Sequence, residues 1–390
     1  QLPEFLEGHA ERTLEFYREN ATDPEGGFFH CLNDDGSIYD NDLRHLVSSC
    51  RFVFNFAKSA ARTGNTDDKA LAEHGLAYLE SAHRKTDGSY IWEMRAGKVT
   101  DPAIMGYGHA FVLLAAACAI KAGISTSRTV LSHVWSFMES RFWDPEHGAY
   151  IDEFTAGFAQ SSDYRGQNVN MHMCEACIAA WQATGDENFL NKAIGLAHRF
   201  AGELADLGGG AIWEHYTKNW SLDFEYNKAL PNDLFRPWGY QPGHQFEWAR
   251  LLLILDEIRP NPSFLTRAAS LYETAMTHGR DERYGGIFYG YAPDGSPCAE
   301  EKYYWVHSEA VATAWRLYAR TGKSRYQQDY NDLWRYSWDH FVDHEHGAWF
   351  RILHRDGTKI DSLKSPPGKT DYHTLGVCWD ILSVMNAGAV

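Results

Sequence analysis

Long apolar runs are missing from this chain. No stretch reaches 18 consecutive apolar residues, so no membrane-spanning helix is predicted. Long basic runs are missing too, and the formal net charge is −16, which makes nucleic acid and anionic membrane surfaces poor partners. The opening Gln1-Leu2-Pro3-Glu4 has neither the basic nor the apolar part of a secretory signal. Cysteine is sparse and odd in number, at seven. Its one C-x-x-C, Cys174 and Cys177, lies in a helix-like segment with no second pair to complete a zinc site. Scattered thiols fit a reducing cytoplasm, the expected location. H-E-x-x-H, a phosphate-cradling Gly loop and a G-x-S-x-G elbow are all absent. These absences leave a water-soluble protein whose chemistry must come from ordinary side chains, with no cofactor and no metal expected.

What is present is aromatic and repetitive. Of 390 residues, 44% are hydrophobic and 14% are Trp, Tyr or Phe, enough for a large core and for stacking on flat sugar faces. A Gly-plus-aromatic unit recurs six times, at Gly27, Gly88, Gly148, Gly210, Gly286 and Gly347, in steps of 61, 60, 62, 76 and 61. Aromatics alternating after a Gly turn read as short hairpins. Six histidines have the same count: His45, His109, His172, His244, His307 and His373, in steps of 64, 63, 72, 63 and 66. Each opens a run that is apolar nearly all round, as a buried helix is. Several runs stop at Gly, namely Gly64, Gly123, Gly185 and Gly322. Amphipathic segments follow, such as 186–202, with Phe189, Leu190, Ala193, Ile194, Ala197 and Phe200 at helical spacing. Residues 2–18 supply the first of these. Six buried and six amphipathic helices in alternation predict an (α/α)6 barrel, with residues 1–390 as one catalytic domain. Helix-pair lengths are constant, whereas the hairpin-to-His loops vary from 18 to 34 residues. The longest, 214–243, suits a lid or wall.

The chemistry sits where those loops enter the buried helices. His244 and Glu247 are three apart, a spacing that shares a helix face and lets a carboxylate orient an imidazole. His172 and Glu175 repeat the spacing, while His307 and Glu309 fit it less well. Lone pairs of this kind more often cross-link helices, but six such histidines favour a shared pocket, with His45 and His109 the structural members. Arg51 lies in an otherwise apolar run and needs a partner there, Asp42 being one candidate, or a ligand. The last loop, Lys369-Thr370-Asp371-Tyr372, delivers His373 to a cavity it can share with Arg51.

These segments resemble the N-acylglucosamine 2-epimerase superfamily, and within it the mannose and sulfoquinovose isomerase group. The resemblance rests on Arg44-His45-Leu46-Val47, Tyr107-Gly108-His109, Asn168 with Met171-His172, Pro242-Gly243-His244-Gln245-Phe246-Glu247, Trp305-Val306-His307-Ser308-Glu309 and Lys369-Thr370-Asp371-Tyr372-His373. It implies a metal-free (α/α)6 enzyme with catalytic His244 and His373, and Glu247 as their carboxylate partner. It also implies sugar contacts from Arg51, Tyr107, Asn168, His172, Trp305 and Asp371. The absence of Trp before His373 argues for a monosaccharide. The expected reaction converts D-mannose, or a close relative, to D-fructose through a cis-enediol. The rival outcomes are 2-epimerisation of mannose to glucose and action on a sulfonated sugar, for which Arg165, Arg236, Lys302 and Lys369 are candidate cations. From another class, glycoside hydrolysis would use a carboxylate pair drawn from Glu247, Glu309 and Asp371. A monomer or homodimer is expected.

Overall fold

A computed structural model describes residues 2–387, without the side chain of Ala387. Its helices alternate as the repeat predicts. The amphipathic set is α1 (Leu2–Asn20), α3 (Thr66–Tyr78), α5 (Ser127–Arg141), α7 (Glu187–Ala197), α9 (Pro262–Gly279) and α11 (Ser324–His340). The apolar set is α2 (Leu46–Thr63), α4 (Gly106–Lys121), α6 (Gln167–Thr184), α8 (Pro242–Ile258), α10 (Tyr304–Thr321) and α12 (Tyr372–Ala387). Burial separates the two sets. In α4 every residue from His109 to Ala119 is buried, whereas α11 buries only Tyr326, Tyr330, Leu333 and Ser337, one stripe of a surface helix. Two outer helices depart from the expected regular form. Both α3 and α7 run on into π-helical turns, at Leu79–His83 and His198–Leu204. Three inner helices stop at a left-handed glycine, Gly64, Gly185 and Gly322, as expected.

The inner helices touch in the order α2, α4, α6, α8, α10, α12 and back to α2, and α1 packs on α12, so the array is a closed (α/α)6 barrel. A second ring closes around its mouth. The strand entering each inner helix pairs with the loop of the next repeat: Leu43–His45 with Glu93–Arg95, Ile104–Met105 with Glu153–Phe154, Arg165–Gly166 with His215–Tyr216, and Lys302–Tyr303 with Ile352–Leu353. Tyr240 bridges Tyr291 in the same sense. The last of the series, Leu363–Ser365, pairs with Cys31–Asn33 in the first repeat. Five Gly-plus-aromatic units fold back on the tail of the preceding outer helix, through Thr22–Phe28, Arg84–Tyr90, Trp143–Tyr150, Arg280–Ile287 and Val342–Trp349. The fourth is instead a turn in which Gly210 N donates to Ala205 O.

Four of the six units are each latched to the following inner helix by one side chain. His109 Nε2 accepts from Tyr90 N at 3.1 Å, Asn170 Oδ1 from Tyr150 N at 2.7 Å, Gln245 Oε1 from Ile212 N at 2.9 Å, and His307 Nε2 from Ile287 N at 2.9 Å. All four are the fourth residue of their helix. The six histidines are therefore not equivalent. His109 and His307 are latches. His172 and His244 stand two residues after and one residue before the latch of their own helices, which frees them to face the mouth.

Candidate active site

At the mouth the first turns of the inner helices and the long loops enclose one cavity. Its floor and walls include Arg51, Tyr107, Asn168, His172, His244, Glu247, Trp305 and His373, so eight of the nine residues singled out in the sequence meet there. The ninth, Asp371, does not line it. Its buried carboxylate accepts from Tyr17 Oη at 2.5 Å, from Thr374 Oγ1 at 2.7 Å and from Lys369 Nζ. With φ at 51°, Asp371 is a strained corner that aims His373, and it is not a sugar contact. Leu234, Phe235 and Pro237 bring loop 214–243 over the cavity as the expected wall.

Three imidazoles enter the cavity in the same way, each with Nδ1 held by a carboxylate. Both oxygens of Glu214 lie 2.9 Å from His244 Nδ1. Glu309 Oε1 lies 2.8 Å from His373 Nδ1, and Glu175 Oε2 lies 3.3 Å from His172 Nδ1. A carboxylate accepts a hydrogen bond from Nδ1–H and fixes that tautomer, so each Nε2 keeps its lone pair for the cavity. Glu214 is itself held by Gln167, whose Nε2 donates at 2.9 Å while its Oε1 accepts from Trp248. Burial holds His373 well below the ordinary imidazole range, and the Arg51 charge adds to this. His172 is lowered to about 4, again chiefly by burial. Both are neutral at pH 7, the state a general base requires.

The expected pairing of Glu247 with His244 is thus corrected. The partner of His244 is Glu214, thirty residues away on the Gly210 turn. Glu309, which fits poorly with His307, serves His373. Glu247 comes no closer than 3.9 Å to His172 Nδ1 and 3.7 Å to Arg250, and neither of its enclosed oxygens has a hydrogen bond. Burial first, then repulsion from Glu309 and Glu175, raises its carboxyl well above the ordinary range. Its carboxyl, on the cavity floor, therefore holds a proton more tightly than a free carboxyl does. Beneath it lies Arg250, with Nε 2.7 Å from Glu309 and Nη2 3.4 Å from Glu175. Two sets, His172 with Glu175 and Glu247, and Glu247 with Glu309 and His373, have ligand atoms close enough to hold a cation. The Arg250 guanidinium already supplies a positive charge to both. Sequence reading missed Glu214, Arg250 and the role of Glu309. A charged residue directly after the fourth Gly-plus-aromatic unit was the one available sign of Glu214.

Trp305 divides the site. Its ring lies 5.0 Å from His244 and 5.5 Å from His373, tilted 37° and 35°. Gly243 makes this approach possible, because a Cβ there would stand 2.3 Å from the indole. Among the described residues Arg51 has no carboxylate partner, and Asp42, the candidate, does not pair with it. Its guanidinium lies between the rings of Phe111 and Tyr372, at 4.5 and 4.8 Å, and donates to Gly368 O and, at 3.3 Å, to Tyr107 Oη. The candidate cations for a sulfonate are engaged by protein groups: Arg165 on Ser162 O and Tyr164 O, Arg236 on Glu153, Lys302 near Asp281, and Lys369, which lines the cavity, on Asp371 and Trp349 O. His45 caps α2 through Val47 N and stacks on Phe235, outside the cavity lining.

Comparison with known proteins fits this arrangement. A D-mannose isomerase from Marinomonas mediterranea is 45% identical over 382 residues, covering 98% of this chain and 97% of its own. Another, from Thermobifida fusca, is 34% identical over 94% of this chain and 89% of its own. A crystal structure of a D-mannose isomerase superposes with a TM-score of 0.96 at 45% identity, covering 97% of both chains. The family model described as N-acylglucosamine 2-epimerase matches residues 27–377, and the chain belongs to that family.

Proposed function

We propose that this protein is an isomerase that interconverts D-mannose and D-fructose, working as one catalytic domain. The observation that carries the reading is the pair of imidazoles on either side of Trp305, each with Nδ1 tied to a carboxylate and Nε2 bare. The similarity to D-mannose isomerases along nearly the whole chain supports the same substrate. The engagement of Arg165, Arg236, Lys302 and Lys369 by protein groups favours a neutral sugar over a sulfonated one. The acidic charge argues against nucleic acid, and seven free thiols fit the cytoplasm, where the protein acts as a monomer or homodimer.

In this mechanism His244 Nε2 accepts the O1 proton as the ring opens and returns it to O5. His373 Nε2 then removes the C2 proton. The electrons form the C1–C2 double bond and leave the charge on O1, and His244 Nε2 relays the O2 proton to O1 through the cis-enediol. The same His373 imidazolium delivers its proton to C1 as the C2 carbonyl forms. Arg51 and His172 stabilise the oxygen that carries the developing charge, a contribution of about 10²–10³ in rate per donor. Glu247, neutral, donates a hydrogen bond from the floor. No step calls on a metal.

A proton NMR time course with mannose in heavy water, after chelator treatment, tests the reading. Fructose as the first product is expected, with deuterium entering C1 to the extent that the His373 imidazolium exchanges its proton with solvent before delivering it. Glucose as the first product would assign 2-epimerisation, and release of sugar from a glycoside would assign hydrolysis. Loss of activity after chelation would restore a metal to the site.

A further inference from the structure

A second cavity, of about 370 Å³, lies at the end of the barrel away from the catalytic mouth, among the C-terminal halves of the inner helices. All six inner helices contribute to its lining. Glu175, which holds His172, and Arg250, which lies beneath Glu247, form the partition between the two spaces. The charge of the lining is unbalanced. Lys58, Arg62, Lys121, Arg250 and Arg316 stand against Glu175, Glu257 and Asp380. Two of the cations are matched. Arg316 donates to both oxygens of Asp380, at 2.6 and 2.7 Å, and to Glu257 at 2.7 Å. Arg250 pairs with Glu309 at 2.7 Å and with Glu175 at 3.4 Å. Among the described residues the side chains of Lys58, Arg62 and Lys121 form no ion pair and no hydrogen bond. Arg62 and Lys121 stand in the last turns of α2 and α4, where a cation also balances the helix end. Lys58 stands a turn deeper, half-buried, with Nζ 4.8 Å from the centre of the Phe54 ring. Burial lowers its amine below the ordinary lysine value. Asp380 and Glu175 attract it from beyond ion-pair range, but both are engaged by arginines. A half-buried amine with no anion beside it is costly unless a ligand brings the charge.

We propose that this lower cavity is an effector site for a phosphate group, bound by Lys58, Arg62 and Lys121. A phosphate dianion supplies the negative charge that these three lack, and a guanidinium beside two ammonium groups suits its oxygens. Phe54, Ile254 and Trp379 add apolar wall. The source is therefore either free inorganic phosphate or a phosphate ester whose organic part lies on that wall. A dianion there competes with Glu175 for Arg250, and Glu175 orients His172, so occupancy reaches the catalytic cavity through one side chain. The effector role rests on the isomerase reading; the binding does not.

Equilibrium dialysis of radiolabelled inorganic phosphate at fixed ionic strength counts the site. One equivalent per chain is expected, retained in excess mannose, and Lys58→Met weakens it about tenfold. Arg62→Gln combined with Lys121→Gln weakens it comparably if Lys58→Met fails to fold. Glycerol phosphate that binds more tightly than phosphate, and loses the same factor in Lys58→Met, assigns the site to an ester; equal affinity assigns it to free phosphate. Added phosphate is expected to change kcat/KM for mannose about fivefold. Lys58→Met, whose activity without phosphate matches the parent, removes that change. No binding overturns the proposal. So does binding that mannose displaces and Lys58→Met leaves intact, since the anion then lies with Arg51 and Lys369 in the catalytic cavity. Binding at the expected stoichiometry with kcat/KM unmoved overturns the effector role. If the native enzyme makes no fructose, the dialysis counts still decide the site.

Discussion

Each cavity imidazole depends on a carboxylate from elsewhere in the chain, and this sets what single substitutions do. Glu214→Gln puts an amide where His244 Nδ1 meets a carboxylate, which loosens the tautomer that leaves Nε2 bare. A loss of about 10²-fold in kcat with KM little changed is expected from steady-state kinetics. An unchanged kcat would remove Glu214 from the mechanism. Glu247→Gln keeps a neutral group of the same size, so its melting temperature stays within a few degrees while kcat falls. A large loss of stability instead would mean that Glu247 is ionised. These partnerships were only half legible in the sequence. The i,i+3 rule found His172 with Glu175, where both residues stay on one helix. It misassigned Glu247 because the His244 ring turns toward the neighbouring loop, and contacts across 30 or 64 residues leave no local pattern. Asp371 was misread for a related reason: loop position does not reveal that a carboxylate is already taken by Tyr17 and Lys369.

Repeated elements show a different kind of legibility. Helix periodicity and Gly stops placed all twelve helices, because burial of one stripe against burial all round is written in composition. The latch was hidden, because offsets of one or two residues vanish within steps of about sixty. His109 and His307 accept at Nε2, so each must be neutral to hold its turn. Burial takes them down to about 4 and about 3, and His45 to about 3. Below pH 6.5 the unfolded chain gains protons at these rings and the folded chain does not. Stability is therefore full above pH 6.5 and falls as pH drops toward 4, by about 1.4 kcal/mol per unit for each ring. Gln245 does the same latching without titrating. His109→Gln should preserve the fold at pH 7.5 and flatten the decline in melting temperature between pH 6.5 and 4.5. A slope unchanged from the parent would refute the latch as a source of the acid sensitivity. Arg250 belongs to this scale as well, a single cation on α8 that joins Glu309 and Glu175. Arg250→Met leaves buried carboxylates without a counter-charge and should lower both stability and kcat.

For the molecule as a whole, six repeats predicted closure, and both rings close. The sequence could not reveal how tightly the ends are coupled. Tyr17 of α1 donates to Asp371, 354 residues on, and Asp371 is the corner that aims His373. Tyr17→Phe leaves a buried acceptor short of one donor and should cost about 1–3 kcal/mol. It should also lower kcat more than it raises KM, although Tyr17 is outside the cavity; a fall in melting temperature with kcat intact would separate aim from stability. The same geometry has a consequence for synthesis. Ribosomes deliver the chain from α1 onward, so Arg51, His172 and His244 emerge well before α12 does. The proposed base rides on the helix whose arrival completes the ring. A chain that stops short of α12 thus carries Arg51, His172 and His244 but neither the proposed base nor the last wall of the cavity.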